Sequence, residues 1–301
     1  MAVNKELWIN HIEEGFFPDD GFAVKSLDDS EYVSGSIVHV PNAGRPSRVE
    51  IDRTKKPAEV NERTDSELVY KIHELTTDPI RLSHKDTVEL TYDKRDSIIG
   101  EDKAELQRVA HELLLKKWTE GLTSAETVLT TGEARDAHTL KGSGKRLKIT
   151  WRDVKRISVI FNKQNVPALE RYLLLDAEMY DDLLGSLADH QQLAFLSSAD
   201  VTKGTVGRLF GIDIMMRSTV LRVLSDSTII GEKDEGQATE VAAGIAWQRN
   251  SVARALTKLE MFGKEGDPTH YGDIYSFLLR TGGARHRVDK KGILLVAEGT
   301  N

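Results

Sequence analysis

The chain has 301 residues, a formal net charge of -7 and no cysteine, with 39% hydrophobic and 30% charged residues. That length holds a core of ample size, in one large domain or two intimate subdomains. The acidic balance argues against a protein whose main task is gripping nucleic acid through phosphates, and the absence of cysteine excludes disulfides, thiolate catalysis and cysteine-based metal sites. Met1 to Leu7 shows no basic region followed by an apolar core. No stretch approaches the roughly 20 apolar residues of a membrane span, so folding in a cytoplasm is expected.

Residues 1–35 mix acidic turns (Pro18-Asp19-Asp20-Gly21, Asp28-Asp29) with isolated aromatics (Trp8, Phe16, Phe17) and no sustained period. Such a segment reads as an arm that packs against something else. From Ser36 to Tyr92 come extended runs, Ser36–Val40, Arg48–Arg53, Glu67–Leu75 and Thr87–Tyr92, divided by turn-forming clusters. Val49-Glu50-Ile51-Asp52 and Val88-Glu89-Leu90-Thr91 alternate as half-buried strands do. This region reads as a hairpin-like excursion with a charged, proline-bearing tip and too few apolar residues for a core of its own.

A long amphipathic helix is expected from Ile98 to Trp118, because Leu106, Val109, Ala110, Leu113 and Leu114 share one face. Asp102 and Glu105 have the spacing of a capping box, and Gly121 is a stop. The polar stretch Thr123–Lys148, containing Gly142-Ser143-Gly144, reads as a long loop. Thr150 with Asp153 caps a second helix, with Val154, Ile157, Ile160 and Phe161 on its inner face.

Arg171–Leu175 is expected as a buried strand and Ala177–Leu184 as a helix. Gly204–Arg217 reads as a strand bent at Gly207 and Gly211, and Ser225–Gly236 as a surface loop. Ala238–Trp247 is open between helix and strand. Beyond it, the reading gives a helix over Arg249–Leu256, a turn at Gly266-Asp267-Pro268, and strands over Tyr271–Arg280 and Gly292–Ala297 joined through Gly282-Gly283 and Asp289 to Gly292.

No catalytic, cofactor or metal site emerges from the sequence. Lys141-Gly142-Ser143-Gly144-Lys145-Arg146 departs from a phosphate loop at two positions, Thr139 and Arg146. The nine histidines lack the i, i+4 spacing of a helical metal pair. Asp181-Asp182 are adjacent and face different ways, which assigns them to solvating turns and helix starts. The densest basic stretch is Lys141, Lys145, Arg146, Lys148 and Arg152, continued by Lys155 and Arg156. It is a candidate contact with DNA or, with Trp151 its one aromatic, more readily a contact with a neighbouring subunit or a solvated face.

Three stretches together carry a family resemblance: Arg208-Leu209-Phe210-Gly211-Ile212-Asp213-Ile214, Ala243–Trp247, and Asp267–Arg280 with Gly292–Val296. They follow an arm, an extended loop and a spine helix in that order. The chain resembles the major capsid proteins of tailed double-stranded DNA bacteriophages, the Hong Kong 97-type capsid family. That resemblance implies an α+β fold with an amino-terminal arm (1–35), an extended β-hairpin loop (36–93) and a peripheral domain with the spine helix (94–165). An axial domain (166–264) and return strands of the peripheral domain (265–301) complete it.

The resemblance further implies a structural, non-enzymatic subunit that self-assembles as pentamers and hexamers into an icosahedral head around packaged DNA. Its location would be the virion, after assembly in the host cytoplasm. Implied partners are other copies of itself, a separate scaffolding protein, a portal, decoration proteins and DNA held non-specifically, with no membrane. Arg48, Arg53, Lys55 and Lys56 in the excursion are candidates for inter-subunit charge pairs, with Glu101, Asp102 and Glu105 as partners. Two other readings are an encapsulin-like nanocompartment shell and a soluble α+β enzyme or ligand-binding protein with its site in Thr123–Lys148.

Overall fold

The structure is a computed structural model that describes residues 21–42, 49, 51–54, 57, 66–83, 93–224, 228–231, 233–257, 259–287 and 289–300. The chain opens with β1 (Leu27–Asp28), β2 (Val33–Ser34), β3 (Ile37–Asn42), β4 (Ser66–Lys71), β5 (His73–Thr76) and β6 (Ile80–Ser83). Helix α1 (Asp93–Thr119), β7 (Thr127–Leu129), β8 (Ala134–Asp136), β9 (Lys145–Leu147) and α2 (Trp151–Lys163) follow. Next come β10 (Arg171–Asp176), α3 (Ala177–Gly185), α4 (Asp189–Leu196), β11 (Gly207–Leu209), β12 (Ile212–Arg217), β13 (Leu221–Val223) and β14 (Ile229–Ile230). The last strands are β15 (Val241–Gln248), β16 (Val252–Leu256), β17 (Glu260–Asp267), β18 (Gly272–Arg285) and β19 (Ile293–Ala297).

An eight-stranded mixed sheet forms the larger core, with β15 at its centre. One edge of β15 is shared, its first residues pairing with β13 and its last with β10, while β19 runs along the other edge. Every residue of β10, β15 and β19 is buried. Their side chains alternate between two apolar layers. Tyr172, Leu174, Ala243, Ile245, Trp247, Ile293 and Leu295 enter the layer under α1. Leu173, Leu175, Ala242, Ala246, Leu294 and Val296 enter the layer under α2, α3 and α4. A sheet covered on both faces yields continuous apolar runs in place of alternation, which is why Ala238–Trp247 was open from sequence. Gly244 lies where a Cβ would sit 2.6 Å from the Leu174 carbonyl oxygen, so the close approach of β10 to β15 requires glycine.

A six-stranded sheet is organised on β18. By register, β5 and β6 run along one edge of β18, and β16 and β17 along the other. Helix α1 joins the two sheets. Leu106 and Ala110 pack on Met261, Phe277 and Leu279 of the smaller sheet, whereas Leu114, Leu115 and Trp118 enter the core of the larger one. Trp118 is fully buried, donates its indole N–H to the Ala253 carbonyl at 2.8 Å, and lies 5.7 Å from Trp247 and 5.9 Å from Phe22, ring to ring. Removing an aromatic side chain so buried costs about 3–5 kcal/mol.

Several expectations are corrected. The helix begins at Asp93, so Asp102 and Glu105 lie inside it and form no capping box. Thr123–Lys148 is built from a capped 3-10 turn, β7 and the β8–β9 hairpin, not a loop; its short strands are held by neighbours rather than by apolar period. Arg249–Leu256 is a 3-10 turn and then β16, because β18 and β1 offer the backbone two ladders there. Gly282-Gly283 lies within β18 rather than between strands. Helix α4 and strand β17 were not anticipated. Ile51 and Asp52 form a turn, with Asp52 at φ 49°, and Thr87–Tyr92 falls outside the described residues.

The arm is also partly corrected. Phe22 and Ala23 are buried in this chain's own core, and β1 pairs in parallel with β16. Residues 1–20 fall outside the described residues. The capping box at Thr150 and Asp153, the buried strand from Arg171, the helix from Ala177 and the helix stop at Gly121 (φ 72°) are as expected.

Gly283 marks where α1 crosses β18: a Cβ there would lie 2.7 Å from Leu114 Cδ2, and 3.1 Å from both the Ala253 oxygen and the Trp118 indole nitrogen. Gly283→Ala is expected to lose about 2 kcal/mol in urea unfolding of the unassembled chain. Gly100, inside α1 with nothing within 4 Å of its built Cβ, is expected to gain about 0.8 kcal/mol as alanine. Equal effects at the two positions would show that the crossing has no special steric demand.

Candidate functional site

The β8–β9 hairpin carries few buried apolar side chains and is fastened to the larger sheet by charge. Arg135 Nε donates to Asp182 Oδ2 and its Nη2 to Glu298 Oε1, each at 2.6 Å. Its Nη1 lies 2.6 Å from His138 Nδ1, and Nε2–H of that ring donates to Asp176 Oδ2 at 2.9 Å. Asp176 comes from the end of β10, Asp182 from α3 and Glu298 from the residue after β19. Glu298 accepts a further hydrogen bond from the Ala242 backbone, and Lys148 Nζ stands 3.5 Å from Asp182. Buried ions are tolerated when paired and hydrogen-bonded in this way. Asp182 therefore solvates neither a turn nor a helix start, whereas Asp181 is exposed.

A second buried pair anchors the tip of the hairpin. Arg222 Nη1 meets Glu240 Oε2 at 2.8 Å, and Glu240 Oε1 accepts the Lys141 backbone N–H at 2.8 Å. Burial raises the Glu240 carboxyl, but the Lys141 N–H and the Arg222 guanidinium outweigh it and hold it below its ordinary value. Gly142 fits here because a Cβ would lie 2.2 Å from Thr139 Oγ1 and 3.2 Å from the Glu240 carbonyl oxygen. The loop that superficially echoes a phosphate cradle is thus a packed joint.

The basic candidates separate. Arg146 is only 5% exposed, and its guanidinium donates to the carbonyls of Glu240 at 3.0 Å and Ala238 at 3.3 Å. It is a packing residue of this chain, not a surface group for DNA or a neighbour. Lys141 and Lys145 are exposed, Lys145 pairing with Asp136 at 2.8 Å. Lys148 faces Asp182, and Arg152 lies over the Trp151 ring, 5.3 Å from its centroid.

The acidic candidates separate too. Glu105 is engaged within the chain by Arg108 at 2.8 Å and Lys233 at 2.7 Å, which hold its carboxyl down to about 2. Glu101 is exposed, and Asp102 is half-buried with its carboxyl pushed up by burial and by Glu101. Arg53 is half-exposed, while Arg48, Lys55 and Lys56 fall outside the described residues. Among the described residues no group of three or more His, Asp or Glu is placed to hold a metal, and no helix is long and apolar enough to cross a membrane. The charge cluster was missed because its members are spread over positions 135 to 298. A conserved sequence spacing could not have signalled it.

Burial and the adjacent Arg135 guanidinium act to lower His138, but the Asp176 and Glu298 carboxylates outweigh them and hold the ring above its ordinary value of 6.5. A proton held more tightly by the folded chain contributes fully below pH 6.5, and its contribution is lost as pH rises through the folded value. Burial raises Glu298 from 4.5, so its effect has the same sign in a lower window. The melting temperature of the wild type is expected to fall more steeply than that of His138→Gln from about pH 6 to about pH 9, by about 1–2 °C. Parallel curves would refute this. Arg135→Ala, which removes the cation shared by Asp182 and Glu298, is expected to cost about 3 kcal/mol in denaturant unfolding; a change below about 1 kcal/mol would mean that the cluster is only a surface pair.

No known family profile matches the sequence, and no curated protein matches it. Solved structures do match in three dimensions. The capsid structure of the cyanophage P-SCSP1u is similar with a TM-score of 0.61 at 15% identity, covering 91% of this chain and 86% of that one. The capsid of Ralstonia phage GP4 gives 0.63 at 12% identity, covering 92% and 87%. A virus-like particle from Pyrococcus furiosus gives 0.55 at 10% identity, covering 97% and 99%. Matched over more than nine tenths of its length to these capsid structures, the chain has the Hong Kong 97-type capsid fold.

Proposed function

We propose that this protein is a structural major capsid protein, self-assembling as pentamers and hexamers into the icosahedral head of a tailed bacteriophage around double-stranded DNA. The observation that carries the reading is the length of the structural match. Capsid chains of several phages align over 91% or more of this one, leaving little of the chain for a different task. The extended β3–β4 pair supports it. Val38, Val40, Tyr70 and Ile72 form only a small buried cluster with Ala255, and a pair of strands with so small a core of its own suits a subunit that packs against its neighbours.

In this reading residues 1–35 are the arm, 36–93 the extended loop, 94–165 and 265–301 the peripheral domain, and 166–264 the axial domain. The role is structural rather than catalytic, and the location is the virion. Contacts with DNA are few and non-specific, in keeping with a net charge of -7. Exposed Lys141, Lys145, Arg152, Glu101 and the excursion residue Arg53 remain the candidates for contacts between subunits. The likeness to a virus-like particle from Pyrococcus furiosus supports shell building as the common property, and the several phage capsids favour a phage head.

Negative-stain electron microscopy after size-exclusion chromatography tests this, on the chain expressed alone and with the adjacent reading frame. Closed shells, tubes or capsomer rings are expected. A persistent monomer under both conditions would overturn the reading.

A further inference from the structure

The hairpin between β11 and β12 turns through two residues, Phe210 and Gly211, with φ of 50° and 78°. Positive φ at both central positions is the geometry of a type I′ turn, for which Asn-Gly is the favoured pair. A bulky side chain in the left-handed region is an outlier that needs a reason. Burial does not supply it, because Phe210 is 44% exposed. Its backbone carbonyl accepts from Ser158 Oγ on α2 at 3.1 Å, and its ring stands 6.4 Å from that of Trp151 at an interplanar angle of 35°. Arg152 covers the Trp151 ring, and Val159, beside Ser158, is also exposed.

We propose that Phe210 is a docking knob for a second copy of this chain, seated at the tip of the larger sheet and rimmed by Arg152. The inference rests on the shell-forming reading above and adds the contact. Exposed aromatics beside arginine are the residue types that dominate interface energies. The tip is held rigid by Ser158 and Trp151, so little ordering is lost when it docks. A second copy suits the rim, because a chain with net charge -7 supplies carboxylates for Arg152. The knob and its receptor are different surfaces of one subunit, as a ring of identical copies requires. Arg152 and, one turn further along α2, Lys155 are both exposed and call for an acidic partner, while the apolar surface of Phe210 and Val159 favours a protein over duplex DNA.

The test compares the wild type with Phe210→Asn and Phe210→Tyr, reading the concentration at which assemblies form by light scattering and microscopy, and the melting temperature of the unassembled chain. Phe210→Asn is expected to raise the assembly concentration about tenfold while raising the melting temperature by about 2 °C, since the turn is relieved. Phe210→Tyr, which keeps the ring, is expected to assemble as the wild type does. Wild-type shells with unimpaired Phe210→Asn assembly would overturn this contact alone. A lower melting temperature for Phe210→Asn would overturn the strain argument, and loss of retention on immobilised duplex DNA with assembly unchanged would move the knob to nucleic acid. A wild type that forms no assembly would overturn the shell reading itself, and the contact with it.

Discussion

The crossing of α1 over β18 is the constraint on which the rest of the fold depends. At that point Gly283 has no side chain, Trp118 reaches past it to the Ala253 carbonyl, and Trp118, Trp247 and Phe22 meet in one aromatic group. The same helix contributes Leu106 and Ala110 to one core and Leu114 and Leu115 to the other. Because interiors are close-packed, a shift of this helix by the width of a methyl group would disturb both cores at once. The arm is drawn in at the same place: the Trp247 indole N–H donates to the Lys25 carbonyl at 2.8 Å, fixing the segment that carries Phe22.

Away from the crossing, the molecule is held together in two ways. The larger sheet is fastened by apolar burial on both faces, a force that does not titrate and is not screened by salt as ion pairs are. The β8–β9 hairpin is fastened by Arg135, His138 and Arg146 to carboxylates and carbonyls of the sheet. Such attachments are directional: each carboxylate must lie within hydrogen-bond reach, so they determine where the hairpin sits more than how firmly the domain folds. Loop 231–240 is tied to α1 by the same means, through Lys233 to Glu105 and Lys116 to Asp234.

That division suits a shell subunit. An apolar spine keeps each copy rigid, while polar fastenings position the projecting parts without exposing large apolar patches before assembly. In the proposed shell, contacts of modest strength would suffice, because symmetry would repeat each of them around a ring and a closed shell would engage many at once. The exposed Phe210, held in the left-handed region at a sheet tip, would fit the same scheme as a contact between copies.

How much of this was legible follows from where each signal resides. Local signals were read correctly: the i, i+3, i+4 face of α1, the box of Thr150 and Asp153, the apolar run of β10 and the order of elements that resembles capsid proteins. These depend on neighbours in sequence, and the sequence by itself determined them. Val252–Leu256 became a strand because β18 and β1 stand on either side of it, and Gly282-Gly283 became part of a strand because β16 offers both a ladder partner. Arg135, Asp182 and Glu298 joined in one cluster, and Phe210 reached the left-handed region beside Trp151, for reasons of the same kind. Only the tertiary structure decided these, because a hydrogen-bond ladder, a steric gap and a counter-charge are supplied by residues far away in the chain, and one-dimensional spacing carries no record of them.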